Sequence, residues 1–257
     1  MEEVELKASL IGAKDHSRLR RLKFIIDQAE TLAAERGHKL SILDCGCGIG
    51  EISSLLGKMG HKVTGIDIHQ PSLQEAMARN IYPTVKFLHA DAVTFDSSTP
   101  FDVIIVSELI EHIESPANLL TNIRRLLKED GILILTLPNG CGLEEIAGRI
   151  YNYLEKKLPA WFMRQVWGHD TFRENAARKM AREFSPHVHF FSFCRLRKLF
   201  QGSHWKIVKW RNRGFLPSIP FIGKMPSAIE VFDLWLADWL PLFLGASWPI
   251  VAKAQFD

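Results

Sequence analysis

The 257-residue sequence predicts one α/β domain: a seven-stranded sheet, mostly parallel, with helices on both faces and two helical insertions. Apolar strands alternate with amphipathic helical segments through residues 38–138. Those strands are apolar along nearly their whole length, as strands covered on both faces are. The first of them runs into a glycine turn, the usual ligand edge of an open parallel sheet.

Residues 14–36 read as an amphipathic helix closed by Gly37, with Leu22, Ile25 and Ile26 on an apolar side and Arg18, Arg20, Arg21 and Lys23 on a basic one. "KLSILDCGCGIG" follows as a strand ending in glycines, then "EISSLLGKMG" with helical spacing. "HKVTGIDI" is the second strand, and Pro71 opens the helix after it. "TVKFLHAD" and "FDVIIVS" are strands three and four. "PANLLTNIRRLLKEDG" is expected to be a helix closed by Gly131, and "GILILTLP" is strand five. Residues 38–138 therefore form the core, preceded by the helix at 14–37.

After Pro138 the alternation breaks. Residues 139–187 contain no strand pattern, only two charged helical segments, "GLEEIAGRIYNYLEKKL" and "DTFRENAARKMAREF". This insertion follows strand five, so it is expected to lie at the ligand edge as a lid. The alternation resumes over 188–257, interrupted by a Pro- and Trp-rich apolar insertion at 215–246.

Composition narrows the function classes. The chain is 47% hydrophobic, enough for a large core, and its 32 basic and 29 acidic residues give a net charge of +3. That balance argues against nucleic-acid binding through charge alone. The four cysteines, Cys45, Cys47, Cys141 and Cys194, form no CxxC pair, which fits a reducing cytoplasm. The acidic start "MEEVELKASLIG" is not a secretory signal, and Asp233, Asp238 and Pro241 interrupt the most apolar late segment, so no transmembrane span is expected.

In "LDCGCGIG", Asp44 ends a strand and Gly46, Gly48 and Gly50 follow. The dinucleotide fingerprint GxGxxG would need glycine at 51, where Glu51 stands; the pattern here is DxGxGxG. Asp67 ends strand two, where an acid can accept both hydroxyls of a ribose. Asp91 and Ala92 end strand three, placed to meet an adenine edge.

These motifs, with "FDVIIVSELIEHI" after strand four, resemble the class I S-adenosylmethionine-dependent methyltransferases over about residues 38–138. The resemblance implies a Rossmann-like sheet ordered 3-2-1-4-5-7-6 with its last strand antiparallel. It implies S-adenosyl-L-methionine as cofactor. Asp44, Gly46, Cys47, Gly48 and Gly50 would hold its methionine part, with Ser107 close by. Asp67 would hold the ribose, Ile68 would pack on the adenine ring, and Asp91 with Ala92 would meet its edge.

"SELIEHIESP" packs Glu108, Glu111 and His112 beyond strand four. A helical turn starting there would place all three on one face. The E-x-x-E-H order is similar to that of ubiquinone-pathway O-methyltransferases and of small-RNA terminal 2′-O-methyltransferases, where it supplies metal ligands. The RNA enzymes add a later histidine, which His189 in "SPHVHFFSF" matches better than His187. Three roles stand open for Glu108, Glu111, His112 and His189: a Mg²⁺ or Mn²⁺ site, acid–base chemistry without metal, or shaping of the loop. Glu114 sits before Ser115 and Pro116, where a helix start favours negative charge.

"HWKIVKWRNRGF" interleaves Lys206, Lys209, Arg211 and Arg213 with Trp205 and Trp210. It reads as an exposed strand, with RNA binding as the competing reading. The helix expected within 226–244 could line an apolar substrate pocket, join two copies as a homodimer, or lie on a membrane surface. The function expected is methyl transfer to a small molecule, at oxygen, with an apolar acceptor preferred. The alternatives are a metal-using RNA 2′-O-methyltransferase and a non-catalytic cofactor-binding partner protein.

Overall fold

A computed structural model describes residues 16–142, 153–154, 156–159, 161–162, 188–214 and 227–255. The two helices expected within 139–187 fall almost wholly outside these residues, as does His187.

The chain opens with α1 (His16–Arg36), then β1 (Ser41–Cys45), α2 (Glu51–Lys58), β2 (Lys62–Asp67), α3 (Gln70–Arg79), β3 (Val85–His89) and β4 (Phe101–Ser107). A 3₁₀ turn, Ile110–His112, leads to α4 (Pro116–Leu126) and β5 (Leu127–Pro138). The late part contributes α5 (Phe193–Gly202), β6 (Trp205–Trp210), α6 (Ser227–Trp239) and β7 (Ser247–Ala254). The strands form one sheet in the order β3-β2-β1-β4-β5-β7-β6, as expected. β1 to β5 pair in parallel, and β7 runs antiparallel between β5 and β6.

Side chains alternate across the pleat, so each strand feeds two cores. Leu43, Ile104, Val106, Leu133 and Leu135 face α4 and α5 together with Trp205 and Trp248. Ile42, Val103, Ile105, Ile132 and Ile134 face the other way, onto α1 through Ile25, Ile26 and Ala29. Each such aliphatic side chain, fully buried, contributes about 1.5–3 kcal/mol.

Two local expectations are corrected. α4 ends at Leu126, and Gly131 is not its cap. Leu127 instead pairs with Phe101, and the register jumps before Val103 meets Ile132. Tertiary contacts explain this: the buried Asp102 carboxylate draws Lys128 to 2.8 Å, pairs with Arg36 of α1, and accepts the Ser41 N–H at 2.7 Å. Residues 128–130 are thereby drawn alongside the start of β4. The second correction concerns the Trp-rich strand. Trp205 is buried and Trp210 stacks on Phe193 at 4.6 Å between centroids, so both indoles belong to the core and not to a base-stacking platform.

α6 presents Phe232, Trp235 and Trp239 outward. Its C-terminal end is held by Asn212, whose amide donates to the Ala237 and Leu240 carbonyls at 3.1 and 3.0 Å. Among the described residues no helix is long and apolar enough to cross a membrane.

Asp102 has a testable signature. Burial works against its charge, but the Lys128 ammonium, the Ser41 N–H and the Arg36 guanidinium outweigh it and hold the carboxyl below its ordinary value. A depressed folded-state pKa stabilises above the unfolded value of about 3.9 and is lost as pH falls through the folded value. Asp102→Ala is expected to lower unfolding free energy by about 3 kcal/mol at pH 7. Urea titrations at pH 7 and pH 3 should show a smaller difference at the lower pH.

Candidate functional site

The site is built from strand ends. β1 lies between β2 and β4, whose connections leave in opposite directions, and the crevice opens beyond Cys45. Gly46, Gly48 and Gly50 all have positive φ, 70°, 53° and 78°, the left-handed region that glycine enters without cost. The turn is tied to the neighbouring strand because the Gly46 and Cys47 N–H groups both donate to the Ile66 carbonyl, at 2.8 and 3.0 Å. A side chain at Gly50 would strike Phe87 at 2.6 Å, whereas nothing lies within 4 Å of the Cβ position at Gly48. Gly50 is thus small for packing, and Gly48 leaves open space at the crevice.

Asp44 is buried at the end of β1 and accepts a hydrogen bond from Ser53 Oγ at 2.7 Å. Burial pushes its carboxyl up to about 6, and the nearby Asp67 charge adds to the rise. The Cys47 thiol is likewise raised by burial, which makes it a poor nucleophile.

Asp67 accepts the Gly48 N–H at 2.8 Å on one oxygen and the His69 N–H at 2.7 Å on the other. Those bonds fix its orientation, and each oxygen retains a lone pair. Ile68 next to it is 69% exposed, an apolar face without a protein partner to cover it. Asp91 accepts the Val93 N–H at 2.8 Å and is exposed, and Asn122 donates to the Ala92 carbonyl at 3.0 Å.

At the end of β4 the hydroxyls of Ser107 and Thr136 meet at 2.9 Å, and Thr136 donates to Glu108 at 3.0 Å. Arg213, on the extension of β6, donates from Nη1 to the same Glu108 oxygen at 2.9 Å. Burial acts to raise the Glu108 carboxyl, but the Arg213 and Arg21 guanidiniums prevail and hold it below its ordinary value. Arg21, from α1, has its Nε sealed from solvent without a hydrogen-bond partner, and burial lowers its pKa against the pull of Glu108. Leu109 packs against the glycine turn, within 3.0 Å of a Cβ position at Gly46. The β4 end and the glycine turn therefore share one crevice.

The four groups expected to act together are not gathered into one set. Glu108 adopts the left-handed conformation, φ 53°, and precedes the 3₁₀ turn, so it does not share a helical face with Glu111 and His112. The Glu111 side chain is buried, and its carbonyl receives the Val188 and His189 N–H groups at 2.8 and 3.0 Å. The His189 ring sits between Arg195 Nη2 at 3.2 Å and the Glu114 carbonyl at 3.1 Å. The arginine can only donate, so Nδ1 accepts and Nε2 donates, and neither nitrogen offers a lone pair to a metal. Among the described residues no three His, Cys, Asp or Glu groups could hold a metal ion. The residues present do not fit a divalent cation at Glu108, where an arginine already stands.

Arg21, Thr136 and Arg213 are site residues that the sequence reading did not single out. Arg21 is four residues before the buried Ile25, on the extension of the core-facing stripe, and Thr136 is the single polar residue within "ILILTLP". Those were the available signals. Nothing local marks Arg213 apart from its basic neighbours.

Fold and strand-end acids have the layout of the class I S-adenosylmethionine-dependent methyltransferases. A family model described as "Methyltransferase domain" matches residues 16–209, and the chain belongs to that family. It is 36% identical over 103 residues to the ubiquinone biosynthesis O-methyltransferase of Rickettsia conorii (strain ATCC VR-613 / Malish 7), covering 39% of this chain and 36% of that one. It is 34% identical over 121 residues to the protein of that name from Rickettsia canadensis (strain McKiel), covering 46% of this chain and 51% of that one. The chain thus spans about half or less of the length of these curated relatives. Among solved structures, the magnesium protoporphyrin IX methyltransferase of Synechocystis PCC 6803 with bound SAH aligns with a TM-score of 0.57 at 14% identity, covering 93% of this chain and 84% of that one. A TehB-like SAM-dependent methyltransferase from Corynebacterium glutamicum ATCC 13032 Kitasato aligns with a TM-score of 0.52 at 17% identity, covering 88% and 86%. These two likenesses concern the fold.

Asp44 carries a measurable stability cost. Its folded-state pKa lies above the unfolded value, so the folded protein holds the proton more tightly. Stability falls as pH rises from the ordinary Asp value of about 4 through 6, by on the order of 3 kcal/mol. Asp44→Asn is expected to stabilise the ligand-free protein at pH 7.5 and to change little at pH 4, as read by urea unfolding at both.

Proposed function

We propose that this protein transfers the methyl group of S-adenosylmethionine to a hydroxyl oxygen of a small organic acceptor with an apolar part. One observation carries the reading: the glycine turn with Asp44 and Asp67 opens into the same crevice as the polar end of β4. Bound S-adenosylmethionine supplies an electrophilic methyl carbon on a sulfonium. The protein's work is then orientation, water exclusion and proton removal.

Arg21 offers an Nε–H that has no protein acceptor to the cofactor's carboxylate, and Asp44 offers a negative charge to its ammonium. Asp67 holds the ribose hydroxyls. Ile68 covers one adenine face, and Asp91 with Ala92 meets the adenine edge. Gly48 leaves room for the ligand to approach the backbone. His112, half-buried one turn beyond β4, is the proton acceptor for the hydroxyl. Glu111 shapes the turn that carries it. The oxygen acceptor is supported by the names of the curated relatives, which are O-methyltransferases. The aromatic face of α6 serves the acceptor's apolar part or a second copy of the chain, and the cytoplasm is the expected compartment.

Calorimetry with S-adenosylmethionine tests the cofactor half. Binding is expected to strengthen as pH rises through about 6, because Asp44 must be ionised to meet an ammonium. Asp67→Ala should weaken it by roughly 10–100-fold, the loss of charge-assisted hydrogen bonds. No binding to folded wild type at millimolar cofactor would refute the reading. His112→Gln should lower kcat by about 100-fold or more while leaving cofactor affinity within about twofold. Labelled cofactor incubated with a metabolite extract tests turnover, and binding without any labelled product would favour a non-catalytic partner protein.

A further inference from the structure

An arginine has five N–H donors, and the Arg213 guanidinium spends one. Nη1 donates to Glu108, while Nε is sealed from solvent and has no hydrogen-bond partner. The side chain is 13% exposed, so solvent does little to compensate that donor. A buried donor left without an acceptor destabilises the empty site. The unclaimed edge is also the one that matters chemically. Nε and Nη2 form the side-on fork that receives two oxygens of a carboxylate or phosphate in parallel hydrogen bonds.

The surrounding charges do not satisfy that edge. Glu108 is the carboxylate between Arg213 and Arg21, and it accepts from Arg213 and Thr136 through one oxygen. Arg21, from α1, lies within electrostatic reach of Glu108 and Asp44, and suits the cofactor's own carboxylate. Arg213 arrives from the opposite side of the sheet, past β7 and β5. Its backbone is fixed there, since the Arg213 N–H donates to the Ser247 carbonyl at 2.9 Å and the Gly214 carbonyl accepts the Ala246 N–H at 2.7 Å. A group bound on its fork would sit across the β4 end from the donor cradle.

We infer that Arg213 receives an acidic group, a carboxylate or a phosphate monoester, carried by the methyl acceptor. The inference rests on the methyl-transfer reading of this edge and adds to it the substrate's charge. Two guanidiniums divide the labour: Arg21 anchors the donor, and Arg213, held through Nη1 by Glu108, anchors the acceptor. The acceptor is an organic acid whose hydroxyl points back toward the glycine turn.

The test uses full-length protein saturated with S-adenosylhomocysteine, so that the cofactor's anion site is filled. Ligand-detected NMR then compares benzoate, phenyl phosphate and benzamide. At least one acid is expected to bind about 10-fold or more tightly than the neutral amide. The tighter of the two acids identifies the group as carboxylate or phosphate. Arg213→Met should erase the preference for acid over amide, and Arg213→Lys should keep part of it, with the charge retained and the fork lost. S-adenosylhomocysteine affinity, measured by calorimetry on each variant, reports that the fold and the donor cradle are intact. Acids that bind wild type no better than benzamide would overturn the inference, as would a preference that survives in Arg213→Met. Failure of S-adenosylhomocysteine to bind folded wild type would instead remove the methyl-transfer reading, and this inference with it.

Discussion

The parallel pairing of β1 with both β2 and β4 is the constraint on which the ligand edge depends. Three strands run the same way, so their carboxyl ends lie on one rim. Asp44, Asp67 and Ser107 reach that rim because each closes or ends its strand, and not because they are near in sequence. The backbone then completes the arrangement. Two N–H groups of the glycine turn are spent on Ile66, and a third on Asp67, so the turn is pinned to β2 before any ligand arrives. Preorganisation of this kind lowers the ordering cost of binding.

The rim carries charge that the fold must tolerate. Asp44 is buried with one hydroxyl partner and near a second acid, an arrangement that destabilises the empty protein at neutral pH. Asp102, at the other end of the sheet, shows the opposite design: its carboxylate is surrounded by Lys128, Arg36 and the Ser41 N–H, and its charge is welcome. The contrast is between a buried acid with few partners and one with several. The number and kind of partners distinguishes the two buried acids, since burial alone does not.

Much of the donor half was legible in the sequence. DxGxGxG and Asp67 lie at the ends of short apolar runs, and local pattern suffices to place them. The strand order followed from the resemblance those motifs carry. The β4 end was located correctly, but its geometry was not. A helical spacing through Glu108, Glu111 and His112 ignores the left-handed backbone at Glu108, which Arg213 and Thr136 help to hold from distant parts of the chain. The same reason explains α4, which ends early because Lys128 answers Asp102 and Leu127 answers Phe101. His189 matched a family pattern, yet Arg195 and the Glu114 carbonyl take its ring nitrogens. Each of these outcomes depends on a partner that no local window contains.

Arg213 stands just past β6, on chain that β7 holds to the sheet through Ser247. The methyltransferase-domain match stops at residue 209, short of this side chain. The matched part of the chain contains Arg21, the glycine turn and Asp67. The guanidinium at the acceptor end belongs to the stretch that lies outside the match. Under the proposed assignment of Arg213, the tail of an edge strand is the place where this common scaffold acquires an individual chemistry.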